Sequence, residues 1–360
     1  MEITRDNLRE EIERVYQTSL VRKYWGMIGR ALARLVGRKG EIPAWISYTV
    51  ALVLVQIIAT LLGIALREQT AISAVSFRFS YPMLAYVWLC MVVFQALVNR
   101  IIRYFKSELV NALDLPASQT FILGWLHMAG QVSLQVVLIF IFVLGMTTLS
   151  VFVIFTQGGI PVSTTIYVFL ALVLLQIAPH LYWIFMIAFT FAFSIRQWKF
   201  NLFPDDPSRT PVIQTMHQVS SNVLLTVALV LALNFILIIP LRLYSQYYLI
   251  AIVTLFWVPA LLYFLSSESA FSRLLVNAQL ERLSKLQGQI MDIENHQDIS
   301  QKEPSEAITR LLNLHDRVKS APVSMINLGS IANLVGSLAL PLLAALISIF
   351  DIWQRIFGTP

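Results

Sequence analysis

Hydrophobic residues dominate seven stretches of the chain: 44–66, 81–105, 121–155, 162–195, 220–240, 247–266 and 328–350. Each reaches the roughly 20 residues that cross a bilayer core of about 30 Å as helix. Lipid offers no hydrogen-bond partner to an open strand edge, so the pattern predicts helices. The expected fold is all-α, a polytopic helical membrane protein with six or seven transmembrane helices and cytoplasmic amphipathic helices. The count turns on whether 328–350 crosses the membrane or is re-entrant. The third and fourth runs, 121–155 and 162–195, would be about 50 Å long at 1.5 Å per residue. They must tilt, break or project beyond the bilayer. The short connector TQGGIP (156–161) makes them an antiparallel hairpin. Pro179 and Pro341 are candidate kink points.

Outside these runs the pattern changes to a helical period with polar faces. In residues 22–39, RKYWGMIGRALARLVGRK, one face carries Trp25, Ile28, Leu32 and Leu35 while Arg22, Arg30, Arg34 and Arg38 lie largely elsewhere. Such a basic amphipathic helix suits the interface with anionic lipid, or equally the protein's own surface. Residues 268–300 are polar and helix-favouring, with Val276, Leu283 and Ile290 seven apart and Leu280 between the first two. Gln287 and Glu294 interrupt the second row, so a helix continuing out of the sixth span is favoured over a coiled coil. A further helix, 305–322, places Ile308, Leu311, Leu312, His315 and Val318 on one face and ends at Pro322. The chain thus divides into an N-terminal basic helix (1–40), a six-span bundle (41–266), a cytoplasmic helical segment (267–327) and a C-terminal span or re-entrant segment (328–360).

Charge orients this plan. With Arg100 and Arg103 assigned to the loop they precede, alternate connecting segments carry 22 and 4 of the 26 Lys and Arg residues. This is the positive-inside asymmetry, and it puts the N-terminus in the cytoplasm, with the plasma membrane of a prokaryote as the expected location. The first forty residues lack an apolar h-region, so the first span is expected to direct insertion. Arg100, Arg103 and Lys106 mark the cytoplasmic end of the second span, where snorkelling to lipid phosphates explains them. Only 13% of residues are charged and the mean hydropathy is +0.71, which excludes a soluble domain. Membrane topology also explains the net charge of +6 without nucleic acid. The lone Cys90 rules out an intramolecular disulfide.

Candidate chemistry is sparse. No phosphate-binding loop, HExxH, GxSxG or EF-hand pattern occurs, no carboxylate falls inside an apolar run, and neither metal, cofactor nor enzymatic activity is expected. What remains is neutral and polar. WLHMAGQVSLQ sets His127, Gln131 and Gln135 four apart on one helical stripe, and Gln176 and His180 stand four apart around Pro179. With the hairpin turning near Gly159, these groups come within about one helical turn of each other. They serve either as interhelical packing contacts or as the lining of a pore or pocket. Gln56, Gln95, Asn99, Asn222 and Asn234 fall under the same alternatives. In FPDDPSRTP (203–211), prolines discourage helix and Asp205 and Asp206 have Arg196, Lys199 and Arg209 as basic neighbours. A rigid connector with local charge pairing is favoured over a cation site.

The stretches FPDDPSRTP, FWVPALLYFL, LLNLHDRVKSAP and GSLALPLL, in that order, resemble multi-pass bacterial membrane proteins that carry an HPD loop followed by GG and a last span ending LPLL. Phe203 stands where that family has His, and Arg209, Thr210 and Pro211 replace the glycines. The resemblance implies the architecture and no activity. Two functions are expected from the whole: a homo-oligomeric channel-like or transport protein using the polar stripes, or a scaffold or signalling protein. The second would bind anionic lipid headgroups or a protein partner through its cytoplasmic helices.

Overall fold

The computed structural model describes residues 4–37, 42–68, 80–158, 163–204, 206–238, 257–296 and 302–322, together with 332, 335, 336 and 339. Arg38, Asp205, Pro341, the first half of the sixth apolar run and nearly all of the last one lie outside the described residues. Helices α1 (Arg5–Thr18) and α2 (Leu20–Leu35) precede the apolar helices α3 (Ala44–Ala65) and α4 (Ser80–Tyr104). Then come α5 (Leu115–Gly130), α6 (Val132–Gly158), α7 (Thr164–Ala192) and α8 (Pro211–Ile238). A long α9 (Val258–His296) and α10 (Lys302–Ser320) complete the order. Among the described residues the only strand-like feature is an isolated bridge between Leu113 and Phe200.

Among the described residues, five helices are long and apolar enough to cross a membrane: α3, α4 with its continuation to Ala112, α6, α7 and α8. Helix α7 is central, packing against α3, α4, α6 and α9. Its Phe169, Leu170 and Val173 are fully enclosed. The outward faces of α3 and α6 are apolar and exposed, as at Leu61 and Phe140. Such surfaces suit a hydrocarbon solvent.

The third apolar run is not one helix. Gln131 takes an extended backbone (φ −66°, ψ 107°), so the run divides into α5 and α6. With 16 residues α5 is about 24 Å long, too short to span. Gly130 sits at the break, where an added Cβ would meet Val15 of α1 at 3.5 Å. Helix α8, the counterpart of the fifth apolar run, begins nine residues before that run, with Pro211 in its first turn. Its polar start, including His217, Ser220 and Ser221, is buried rather than solvated.

Four basic segments gather at one end of the bundle. Arg9 of α1 donates to the Lys106 carbonyl at 3.1 Å, and Lys106 Nζ reaches Glu13 at 2.8 Å. The amide of Asp114 donates to Lys199 O at 2.9 Å, and that of Asn201 to Ala112 O at 2.8 Å. Short turns at Ser194–Gln197 and Pro207–Arg209 pack against α9. This is the basic end. At the opposite end, Glu68 accepts the amide protons of Thr164 (3.3 Å) and Thr165 (3.1 Å) and caps α7. Hydrogen bonds from Thr165 hold that carboxyl below its usual range. A negative charge there complements the helix dipole.

Helix α9 runs for 39 residues without interruption, about 58 Å, and so carries the described half of the sixth apolar run directly into the polar segment. Its inner part, Ala260 and Phe264, packs on Leu224 of α8, and its outer part packs against α10. Gln279 Nε2 donates to the carbonyls of Val318 (2.6 Å) and Lys319 (3.1 Å) and so caps the C-terminus of α10. The second apolar row of α9 lies one residue earlier than the sequence pattern suggested. Leu286 is buried whereas Leu280 is 59% exposed, because the seam faces α10 within the same chain.

Candidate functional site

Helix α1 buries Leu8, Ile12, Val15 and Tyr16, one helical face, and Ser19 breaks the chain before α2. Helix α2 buries Val21, Trp25, Gly29 and Ala33. The small residues at 29 and 33 allow close approach: a Cβ on Gly29 would lie 3.4 Å from Ser47 Oγ of α3. Both helices are thereby seated on the basic end of the bundle, and their polar side chains meet those of α3, α4 and α7.

The centre of this meeting is Gln95. Its Nε2 donates to Tyr16 Oη (2.8 Å) and to Asn99 Oδ1 (2.7 Å), and Tyr16 in turn donates to Asn99 at 2.7 Å. Its Oε1 faces Tyr48 Oη at 3.3 Å and His180 Nε2 at 3.2 Å, and those two lie 3.3 Å apart. A proton on His180 Nε2 donated to Gln95 Oε1 satisfies this arrangement. Aromatic rings enclose it: Trp25 stands edge-on to Tyr48 with centroids 4.4 Å apart, and Tyr16 edge-on to Trp183 at 5.6 Å. Burial pushes the Tyr16 and Tyr24 phenols up from their ordinary range, so both stay protonated donors at neutral pH.

The five polar residues expected to form a stripe are separated by these contacts. Gln176 accepts from Tyr24 Oη of α2 at 2.9 Å. Gln135 Oε1 accepts the first amide proton of α2, from Leu20, at 2.9 Å, while its Nε2 bonds Ala129 O across the α5–α6 break. His180 joins Gln95 and Tyr48. His127 and Gln131 are exposed and bond one another at 3.1 Å. Thus Gln135 and Gln176 fasten α2 while His180 ties α7 to α3 and α4, and none of the five bonds another across the α6–α7 hairpin, contrary to the expectation from the sequence. The extended backbone at Gln131 rotates α6 relative to α5, which is why the four-residue spacing does not persist as one stripe.

The lipid-headgroup candidates also separate. Lys106 is paired with Glu13, whose carboxyl is held below its usual range chiefly by that hydrogen bond. Arg22 is half-buried with its guanidinium 5.4 Å from the Tyr16 ring centroid. Arg30, Arg34, Arg100 and Arg103 are exposed. On α2 the adjoining Met27 and Leu35 are exposed as well, so the helix packs on the bundle along one face and keeps an apolar edge outward. In the proline-rich loop, Asp206 accepts from the Ser208 amide at 3.1 Å and pairs with Arg209 at 3.0 Å. That is the local charge pairing expected of a connector.

A second constellation was not anticipated. His217 Nδ1 of α8 lies 2.6 Å from Glu268 Oε1 of α9, both side chains buried. Ser220, Ser221, Tyr263 and Ser267 are buried on the same two helices within two turns. The sequence offered one signal only: Glu268 stands two residues beyond an apolar run, where a helix continuing unbroken would carry it into contact with a neighbour. Its partner, 51 residues away, had no signal. Among the described residues no group of three His, Cys, Asp or Glu side chains could hold a metal.

No protein-family model, curated protein or solved structure matches the chain.

Proposed function

We propose that this is a non-enzymatic, multi-pass membrane protein of a prokaryotic plasma membrane, with its N-terminus and basic end cytoplasmic, that presents the α9–α10 hairpin to a protein partner. The carrying observation is the continuity of α9. One helix joins the contacts with α8 inside the bundle to an arm that reaches His296, so a change in the bundle is transmitted to the arm as a rigid rotation. The scaffold reading is favoured over a channel lined by the polar stripes because Gln135, Gln176 and His180 are engaged in packing. Exposed Leu280 and Met291 on the arm offer apolar anchors for a partner.

Two measurements test this. Ser284 is exposed on the arm and Cys90 is buried. A Cys90→Ser/Ser284→Cys protein is expected to react with a membrane-impermeant maleimide in inside-out vesicles and not in intact cells; the opposite pattern reverses the topology. Photocrosslinkers at positions 280 and 291 are expected to trap a single protein that a crosslinker at position 61, on the outward face of α3, does not. Ion flux from proteoliposomes without any such adduct would replace this reading with the channel.

A further inference from the structure

Helices α6, α7, α8 and α9 surround a cavity of about 750 Å³. Leu138 and Phe142 line it from α6, Phe185 from α7, Val227 from α8 and Leu262 from α9. Phe185 and Leu262 are also 56% and 61% exposed, so the cavity is a groove that opens sideways between α7 and α9. Two of its hydroxyls are already used: Tyr182 donates to Ala129 O at 3.2 Å, and Ser266 to Tyr263 O at 2.9 Å. Water would find few partners there, and an apolar groove of this kind takes an apolar occupant.

The groove has a polar sequel at the basic end. Phe193 lines the groove just beyond the end of α7, and Arg196 follows three residues later in the turn that packs on α9. On α9, Ser266 lines the groove and Arg273 lies two turns further along the same face, about 10 Å away. Both arginines are exposed and neither forms an ion pair with a described residue. Hydrocarbon-sized apolar space followed by two exposed guanidinium groups matches the order of parts in a phospholipid, acyl chain then phosphate.

We infer that this groove is a binding site for an anionic phospholipid, with one acyl chain between α7 and α9 and the phosphate between Arg196 and Arg273. The inference rests on the membrane reading, and α9 makes it consequential. The same helix carries Glu268, between the groove residue Ser266 and the headgroup residue Arg273, so an occupied groove braces the root of the arm.

The test uses the full-length protein in detergent and a spin-labelled phosphatidylglycerol, with spin-labelled phosphatidylcholine as comparison. Arg196→Ala/Arg273→Ala is expected to weaken phosphatidylglycerol binding about thirtyfold, two surface charges being lost, and to leave phosphatidylcholine nearly unchanged. Leu262→Trp, at an exposed lining position that tolerates bulk, is expected to displace both lipids. Unchanged phosphatidylglycerol binding in either variant overturns the site. So does a change of oligomeric state in Leu262→Trp, which would make the groove an interface between copies. Retention of the same variants in carbonate-washed membranes tests the membrane reading separately.

Discussion

Glu268→Ala is expected to destabilise the protein by about 1–3 kcal/mol, the cost of removing one partner of a buried hydrogen bond. His217 would keep its place under the α8–α9 contact while its 2.6 Å partner disappears. Little space is available for water to substitute, since Ser220, Ser267 and Glu268 are each 5% exposed or less. The buried imidazole then loses its carboxylate partner without gaining water in exchange. A His217→Leu/Glu268→Leu protein removes both polar groups at similar volume, and it should melt close to the wild type. Cys90, 1% exposed in the core, supplies the measurement: its reaction with a thiol-reactive coumarin during a thermal ramp reports global opening. A single variant that melts with the wild type would remove the pair as the fastening between bundle and arm. A double variant as unstable as the single would show that shape at this contact, rather than the hydrogen bond, is decisive.

Trp25→Ala is the second large effect, about 3–5 kcal/mol by the usual cost of truncating a buried aromatic. Trp25 is 5% exposed and supports Tyr48 from its edge, while Tyr48 reaches Gln95 and His180. Its loss leaves a void at the point where α2 is seated, and the expected result is release of α1 and α2 ahead of the rest of the bundle. Limited trypsin digestion would then cut at Arg22 or Lys23 under conditions in which the wild type is intact. Trp25→Phe, which keeps an aromatic ring against Tyr48, should recover most of the resistance. Leu35→Ala, at a position 83% exposed, should not alter it. If trypsin cuts the wild type there as readily, α2 is not held by the bundle and the Gln95 network does not fasten it.

These two experiments bear on residues that differ in how far the sequence revealed them. Trp25 was visible as part of an amphipathic face, but that face was drawn through Ile28, Leu32 and Leu35. The contact actually uses Val21, Trp25, Gly29 and Ala33. Large apolar residues mark where a helix avoids water, whereas small ones mark where another helix backbone comes close, and in a membrane protein both kinds of face coexist. Gln95 and His180 stand out in the sequence as polar groups among apolar ones, and packing is one of the two uses that such a pattern allows. Their partners were not foreseen, because Tyr16 and Tyr48 belong to helices whose rotation about their own axes is set only by assembly.

The sequence by itself determined that the protein is helical and apolar over bilayer-length stretches, because those properties depend on residues adjacent in the chain. It also determined which segments would carry the basic residues, and these are the segments that meet at one end of the bundle. Tertiary structure decided the break at Gln131, the early start of α8, the joining of His217 to Glu268 and the groove leading to Arg196 and Arg273. The physical reason is common to all four. A helix offers every polar side chain a direction but no partner, and the partner is chosen by the angle and depth at which helices far apart in sequence finally pack.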